Sequence, residues 1–174
     1  MAAAVTDLHI YGWNKELDLW PLLETELCCK LEKTEARFDA VDFENDKYVV
    51  EIKARRSLGP RGRPVTSATY STWLLPACKG EAVEKSGKRG VFFYFFEGDR
   101  TVWRLDYDAE RFAKYEQKVP PAHPTGQMHY YIPADEWRLV YEPEKPAVGP
   151  TGPVYEVNEI IGSPNGTTIN LALI

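Results

Sequence analysis

Polar and apolar positions follow a strand-like order from Val41 to Arg56, VDFENDKYVVEIKARR, with Asn45-Asp46 between two short apolar runs. That order predicts a β-hairpin turning at Asn45-Asp46. Tyr48, Val49, Val50 and Ile52 make the second strand apolar, yet it ends in Glu51-Ile52-Lys53, and ionised groups on such a strand need partners. Upstream, Trp20, Leu23, Leu27 and Leu31 recur at helical spacing. They predict a helix from about Asp18 to Glu32, with Pro21 tolerable only in its first turn. Glu24 falls within its apolar stripe, whereas Glu26 and Lys30 point away from the centre of that stripe. A core-facing acid also needs a partner.

Further along, RSLGPRGRPVTSAT reads as a Gly/Pro/Arg loop and STWLLPACKGEAVEKSG as a broken or short helix. The aromatic stretch VFFYFFEGDRTVWRLDYD reads as a core hairpin turning at Gly98-Asp99. AERFAKYEQ resembles a short helix, PPAHPTGQ a loop, and MHYYIPADEWRLV a strand leading into a helical turn or second short strand. Four prolines and two glycines between Glu142 and Pro153 mark an arm. Beyond it, VYEVNEIIGSPNGTTINLALI predicts a last hairpin turning at Asn165-Gly166. The expected organisation is one α/β (α+β) domain over residues 1–141 and an arm with a C-terminal hairpin over residues 142–174. That hairpin either completes the chain's own sheet or covers a neighbouring subunit in a homodimer, and both stay open.

With 174 residues, 44% hydrophobic and 27% charged, the chain suffices for one well-buried domain. No apolar run approaches the roughly 18 residues of a membrane span, and the N-terminal stretch lacks the basic start and apolar core of a signal peptide. The expectation is an intracellular protein without a membrane partner. Three cysteines, Cys28, Cys29 and Cys78, form neither a disulfide framework nor a spaced zinc site and are expected as small core residues. His9, His123 and His129 lack zinc spacing, and neither a Gly-x-Ser-x-Gly elbow nor a Gly-rich phosphate loop is present. The aromatic residues of VFFYFF are expected in the core rather than as a platform for stacked bases.

The net charge of −5 argues against a protein that coats nucleic acid nonspecifically. It conceals a split. From Lys53 to Arg89, nine basic residues face two acidic ones, a net +7 that leaves −12 on the rest of the chain. The basic segment follows the Glu-Ile-Lys motif and is either a solvated face or a surface for a polyanion.

Glu-x-Lys alone means little, because 17 glutamates and 11 lysines in this chain give roughly one occurrence by chance. A second one, Glu116-Gln117-Lys118, lies among polar residues and serves as an internal control. Around Glu51-Ile52-Lys53, by contrast, stand an apolar strand, an upstream acid and the basic segment. Strand alternation puts Glu51 and Lys53 on one face. A two-residue Asn45-Asp46 turn pairs Glu44 with Lys47 and Asp42 with Val49, which sets Asp42 diagonally beside Glu51. A three-residue turn or a bulge would bring Asp39 across from Glu51 instead; the Asn-Asp turn favours Asp42. Two converging carboxylates call for a divalent cation, with the Ile52 carbonyl as a further oxygen ligand and Lys53 beside the attacking water. The competing reading is a solvated hairpin with Glu51 and Lys53 on its wet face.

The order of a helix with an inward acid, VDF, a strand ending VEIK, and a basic loop and helix resembles the PD-(D/E)xK nuclease superfamily, the restriction-endonuclease-like fold. Asp42 resembles the family's Asp, with Val41 where proline is frequent, Glu51 and Lys53 resemble its E-x-K, and Glu24 resembles the first-helix acid of many members. TYSTWLLPACK, VFFYFFEGDRTVWRLDYD and HYYIPADEW are similar to small stand-alone members from large DNA viruses and phages. The resemblance spans roughly residues 16–140. It implies a mixed sheet flanked by helices and Mg²⁺-dependent hydrolysis of DNA, less often RNA, with Mn²⁺ able to substitute. Asp42 and Glu51 would be metal ligands, Glu24 a possible second-site ligand, and Lys53 the group beside the water. Arg55, Arg56, Arg61, Arg63 and Lys79 would supply the phosphate contacts. The alternative on the same fold is a non-catalytic nucleic-acid-binding or virion/assembly module.

Overall fold

A computed structural model describes residues 7–34, 41–59, 62–121 and 126–144, and two short strands at 155–156 and 172–173. In chain order the elements of the first part are helix α1 (Asp7–Leu27), strands β1 (Glu32–Lys33), β2 (Phe43–Glu44), β3 (Tyr48–Arg55) and β4 (Thr72–Pro76), and helix α2 (Ala77–Ser86). Then come β5 (Arg89–Phe96), β6 (Thr101–Asp106), the short helix α3 (Ala109–Phe112), β7 (Glu116–Lys118), β8 (His129–Pro133) and β9 (Arg138–Tyr141). The chain divides into two compact units, Met1–Glu142 and Pro143–Ile174. In the second, β10 (Tyr155–Glu156) pairs antiparallel with β11 (Ala172–Leu173), and the expected Asn165-Gly166 turn lies outside the described residues.

The first unit is a mixed α/β structure built on a six-stranded sheet of order β1-β2-β3-β5-β6-β9. Only β3 and β5 run parallel; the other neighbours are antiparallel. The even-numbered residues of β3, Val50 and Ile52, join Val91, Phe93 and Val102 against Leu19, Leu23 and Leu27 of α1. On the opposite face, Val49, Phe92, Tyr94, Phe96 and Leu105 pack with Trp73, Leu75, Val83, Tyr130, Ile132 and Trp137. These come from α2, from a second, antiparallel sheet of order β4-β8-β7, and from the turn before β9. Covered on both faces, β5 reads as a continuous apolar run rather than an alternating one, and its aromatic rings are core, as expected.

Helix α1 departs from its expected bounds at both ends. Pro21 stands in the interior, where its missing N–H deprives the Leu17 carbonyl of a donor. Leu17 is exposed, so water can satisfy that carbonyl. At the C-terminus Cys28 takes φ +51°. Its N–H donates to the Thr25 carbonyl and the Cys29 N–H to that of Glu24, the bonds of a Schellman ending. That ending usually carries glycine, so the sequence shows no stop and the periodicity runs on to Glu32. Cys28 and Cys78 are exposed and Cys29 is half-buried, all three free, which corrects their expected core placement. The stretch expected as a broken or short helix is a strand, β4, followed by the short helix α2, because Trp73 and Leu75 bury at strand spacing before Pro76 opens the helix.

The basic loop is anchored at its base. Ser57 N–H donates to Glu97 Oε2 at 2.9 Å, and Ser67 donates to Asp99 Oδ2 from its N–H at 2.8 Å and its hydroxyl at 2.6 Å. Gly98 sits so close that a Cβ there would fall 2.1 Å from the Val65 carbonyl oxygen. Among the described residues no helix is long and apolar enough to cross a membrane.

Candidate active site

The hairpin forms with a register different from the expected one. Asn45 Oδ1 accepts the N–H groups of Lys47 and Tyr48, at 2.9 and 2.8 Å, so Asn45 opens the turn instead of sitting inside it. Glu44 therefore pairs with Val49 and Phe43 with Val50. The partner shift is two residues, an even number, so the faces expected for the side chains are kept. Beyond Phe43 the ladder breaks. Asp42 N–H donates to the Val50 carbonyl at 2.9 Å, one residue out of step, and Asp42 Oδ2 accepts the Ile52 N–H at 2.7 Å where a backbone carbonyl would stand in a regular sheet. A strand residue's N–H and C=O point the same way, so the Ile52 carbonyl turns toward this same edge.

Glu51 projects on the α2 side and is 2% exposed, which excludes a wet-face hairpin. Lys53 Nζ lies 3.1 Å from its Oε1 and Lys79 Nζ 2.7 Å from its Oε2. The Lys79 contact is close but off the hydrogen-bonding direction, so Glu51 Oε2 is buried without a hydrogen bond. Burial pushes the Asp42 carboxyl up from its ordinary 3.8 to about 8; Glu51 and Glu16 add to the shift, while the Ile52 N–H and Lys79 oppose it. Burial would lower the Lys53 ammonium, but Glu51 and then Asp42 outweigh it and hold that ammonium above its ordinary range. The control motif behaves as a solvated pair: Lys118 Nζ is 2.9 Å from Glu116 on β7, with all three residues exposed.

The α1 acid facing Asp42 is Glu16, two helical turns and about 12 Å before Glu24 along the axis. Lys33 Nζ binds Glu16 at 2.7 Å and donates to the Asp42 carbonyl at 3.2 Å. Glu24 is turned elsewhere: its carboxylate accepts Lys30 Nζ at 2.7 Å and the Leu31 N–H at 3.0 Å, which lowers its pKa. It fastens the exit of its own helix. Glu16 lies on the same apolar stripe but is hidden in the sequence, because Pro21 sets the expected helix start at Asp18. Lys79, expected on a phosphate-binding surface, is 14% exposed and belongs to the carboxylate cluster. Arg55, Arg56 and Arg63 are exposed. Arg55 Nε donates to Tyr94 Oη at 2.9 Å, and Arg56 lies over the Tyr11 ring at 4.8 Å and donates to the Asp7 carbonyl. Asp39, Arg61 and His123 lie outside the described residues.

Among the described residues no three His, Cys, Asp or Glu side chains form a ready metal cage. The donors present still suit a hard cation. Asp42, Glu51, whose buried Oε2 has an ammonium beside it but no hydrogen bond, and the Ile52 carbonyl all offer oxygens, and Mg²⁺ commonly takes only one or two carboxylates plus water and phosphate. No protein-family model matches the chain, and no curated protein or solved structure matches it either.

Proposed function

We propose that the chain is a metal-dependent nuclease that hydrolyses DNA phosphodiester bonds on a restriction-endonuclease-like fold. The observation that carries this reading is the meeting of Asp42, just before β2, with Glu51 of β3 around the backbone of Ile52, with Lys53 on the same face as Glu51. Two acids held that close, one of them retaining its proton to high pH, form a site with a demand for positive charge. Asp42, Glu51 and the Ile52 carbonyl would hold Mg²⁺, or Mn²⁺ in its place. Bound there, the ion supplies Lewis-acid polarisation of a phosphate and acidifies water.

The chain's own groups do the rest. Glu51, fixed between two ammoniums, cannot swing away from the edge where Asp42 stands. The Lys53 side chain is about one-third exposed and opens the site to solvent; its ammonium orients water and offsets charge developing on the phosphate. Arg55 at the end of β3, with Arg56 and Arg63 beyond it, all exposed, supply sequence-independent phosphate contacts.

One observation favours the second reading, a non-catalytic nucleic-acid-binding or assembly module. Each Glu51 oxygen already has an ammonium beside it, so that acid is compensated without an ion. Labelled duplex, single-stranded and branched DNA, and RNA, incubated with the full chain with and without Mg²⁺ decide between the two. Cleavage that needs the ion and disappears in Glu51→Gln, with DNA binding kept, is the expected result. Bound but intact DNA selects the module, and full activity of Glu51→Gln removes the site.

A further inference from the structure

We propose that Lys79 is a built-in second cation of this site, filling the place beside Glu51 that a second divalent ion would take, so that the centre binds a single ion between Asp42 and Glu51. The proposal rests on the metal-centre reading above. In a two-ion centre a shared carboxylate can offer one oxygen to each ion, and the pair neutralises both sides of the reacting phosphate. Here Glu51 offers Oε1 to Lys53 at 3.1 Å and Oε2 to Lys79 at 2.7 Å.

Lys79 is held where a mobile surface lysine would not be. It sits in the first turn of α2, between buried Ala77 and buried Gly80. A Cβ on Gly80 would lie 2.9 Å from Tyr130 Oη, so the helix rests directly on β8 at this point. With its side chain 14% exposed, the ammonium is committed to Glu51.

The other flank is compensated in the same way. Glu16 is paired with Lys33 at 2.7 Å, and both side chains are largely buried. Among the described residues, Asp42 is the acid of this cluster whose carboxylate has no ammonium or guanidinium within ion-pair distance; its Oδ2 holds the Ile52 N–H. The carboxyl of this cluster without a cationic partner is therefore at one place, and it has room for one ion. A fixed lysine also makes the charge on the α2 side independent of metal concentration, so turnover should rise with the first power of free Mg²⁺.

Counting Mn²⁺ bound to the full chain, by calorimetry and by the electron paramagnetic resonance of free Mn²⁺, tests this without relying on activity. The expected result is one Mn²⁺ per parent chain, a second ion admitted by Lys79→Ala, and return to one ion when methylammonium is added or when the substitution is Lys79→Arg. Two ions on the parent would overturn the proposal whatever the variants do. So would a folded Lys79→Ala variant that still binds one ion with unchanged affinity, because Lys79 would then be only a packing contact. If the parent binds no Mn²⁺, the metal-centre reading falls together with it, an outcome separate from the other two.

Discussion

Replacing Asp42 by Asn should change how stability depends on pH. The buried carboxyl titrates near 8 in the folded chain, against an ordinary 3.8. Between those values the folded state holds a proton that the unfolded state has released, so stability falls as pH rises through that window. The contribution is fully present below about pH 4 and lost above about pH 8. A shift of this size corresponds to an effect on the order of 5 kcal/mol, roughly 10–20 °C in Tm for a domain of this size. Asp42→Asn preserves shape, can still accept the Ile52 N–H, and cannot ionise. Its Tm, followed by circular dichroism in chelator, should match the parent near pH 4 and exceed it progressively toward pH 8. Metal competes with the proton at Asp42, so Mn²⁺ should flatten the parent's pH dependence and leave the variant's untouched. Parallel pH profiles for the two proteins would refute the burial of Asp42 against Glu51 and Glu16.

Lys53→Ala should lower turnover by about 10²-fold or more with little change in DNA affinity, since its ammonium acts on charge that develops during reaction; single-turnover kinetics beside equilibrium binding read the split. Arg56→Ala combined with Arg63→Ala should weaken binding on all sequences alike and reduce the log–log salt slope on duplex DNA by about 0.9 for each phosphate that is no longer neutralised, while an unchanged slope would place the DNA elsewhere. Gly98→Ala should destabilise the chain by about 2–4 kcal/mol, because the new Cβ meets the Val65 carbonyl oxygen, a backbone atom that moves only with the anchored loop. Thermal melts check this, and a Tm equal to the parent's would contradict the close packing of that loop.

The sequence by itself determined what depends on neighbours along the chain. Strand periodicity placed Glu51 and Lys53 on one face and Val50 and Ile52 on the other, and the aromatic run of β5 marked a core strand, whose cover on both sides came only with the fold. Asn45 marked the turn, although its side-chain bonds to Lys47 and Tyr48 moved that turn by one residue. The tertiary structure alone decided which charges meet. Glu16 rather than Glu24 faces Asp42, Lys33 links Glu16 to the Asp42 backbone, and Lys79 leaves the basic segment to sit on Glu51. These five residues, Glu16, Lys33, Asp42, Glu51 and Lys79, come from α1, β1, the start of the hairpin, β3 and α2. No local period relates them. Their partners are chosen by burial, where an acid without a counter-charge is costly and the nearest ammonium wins regardless of its distance along the chain.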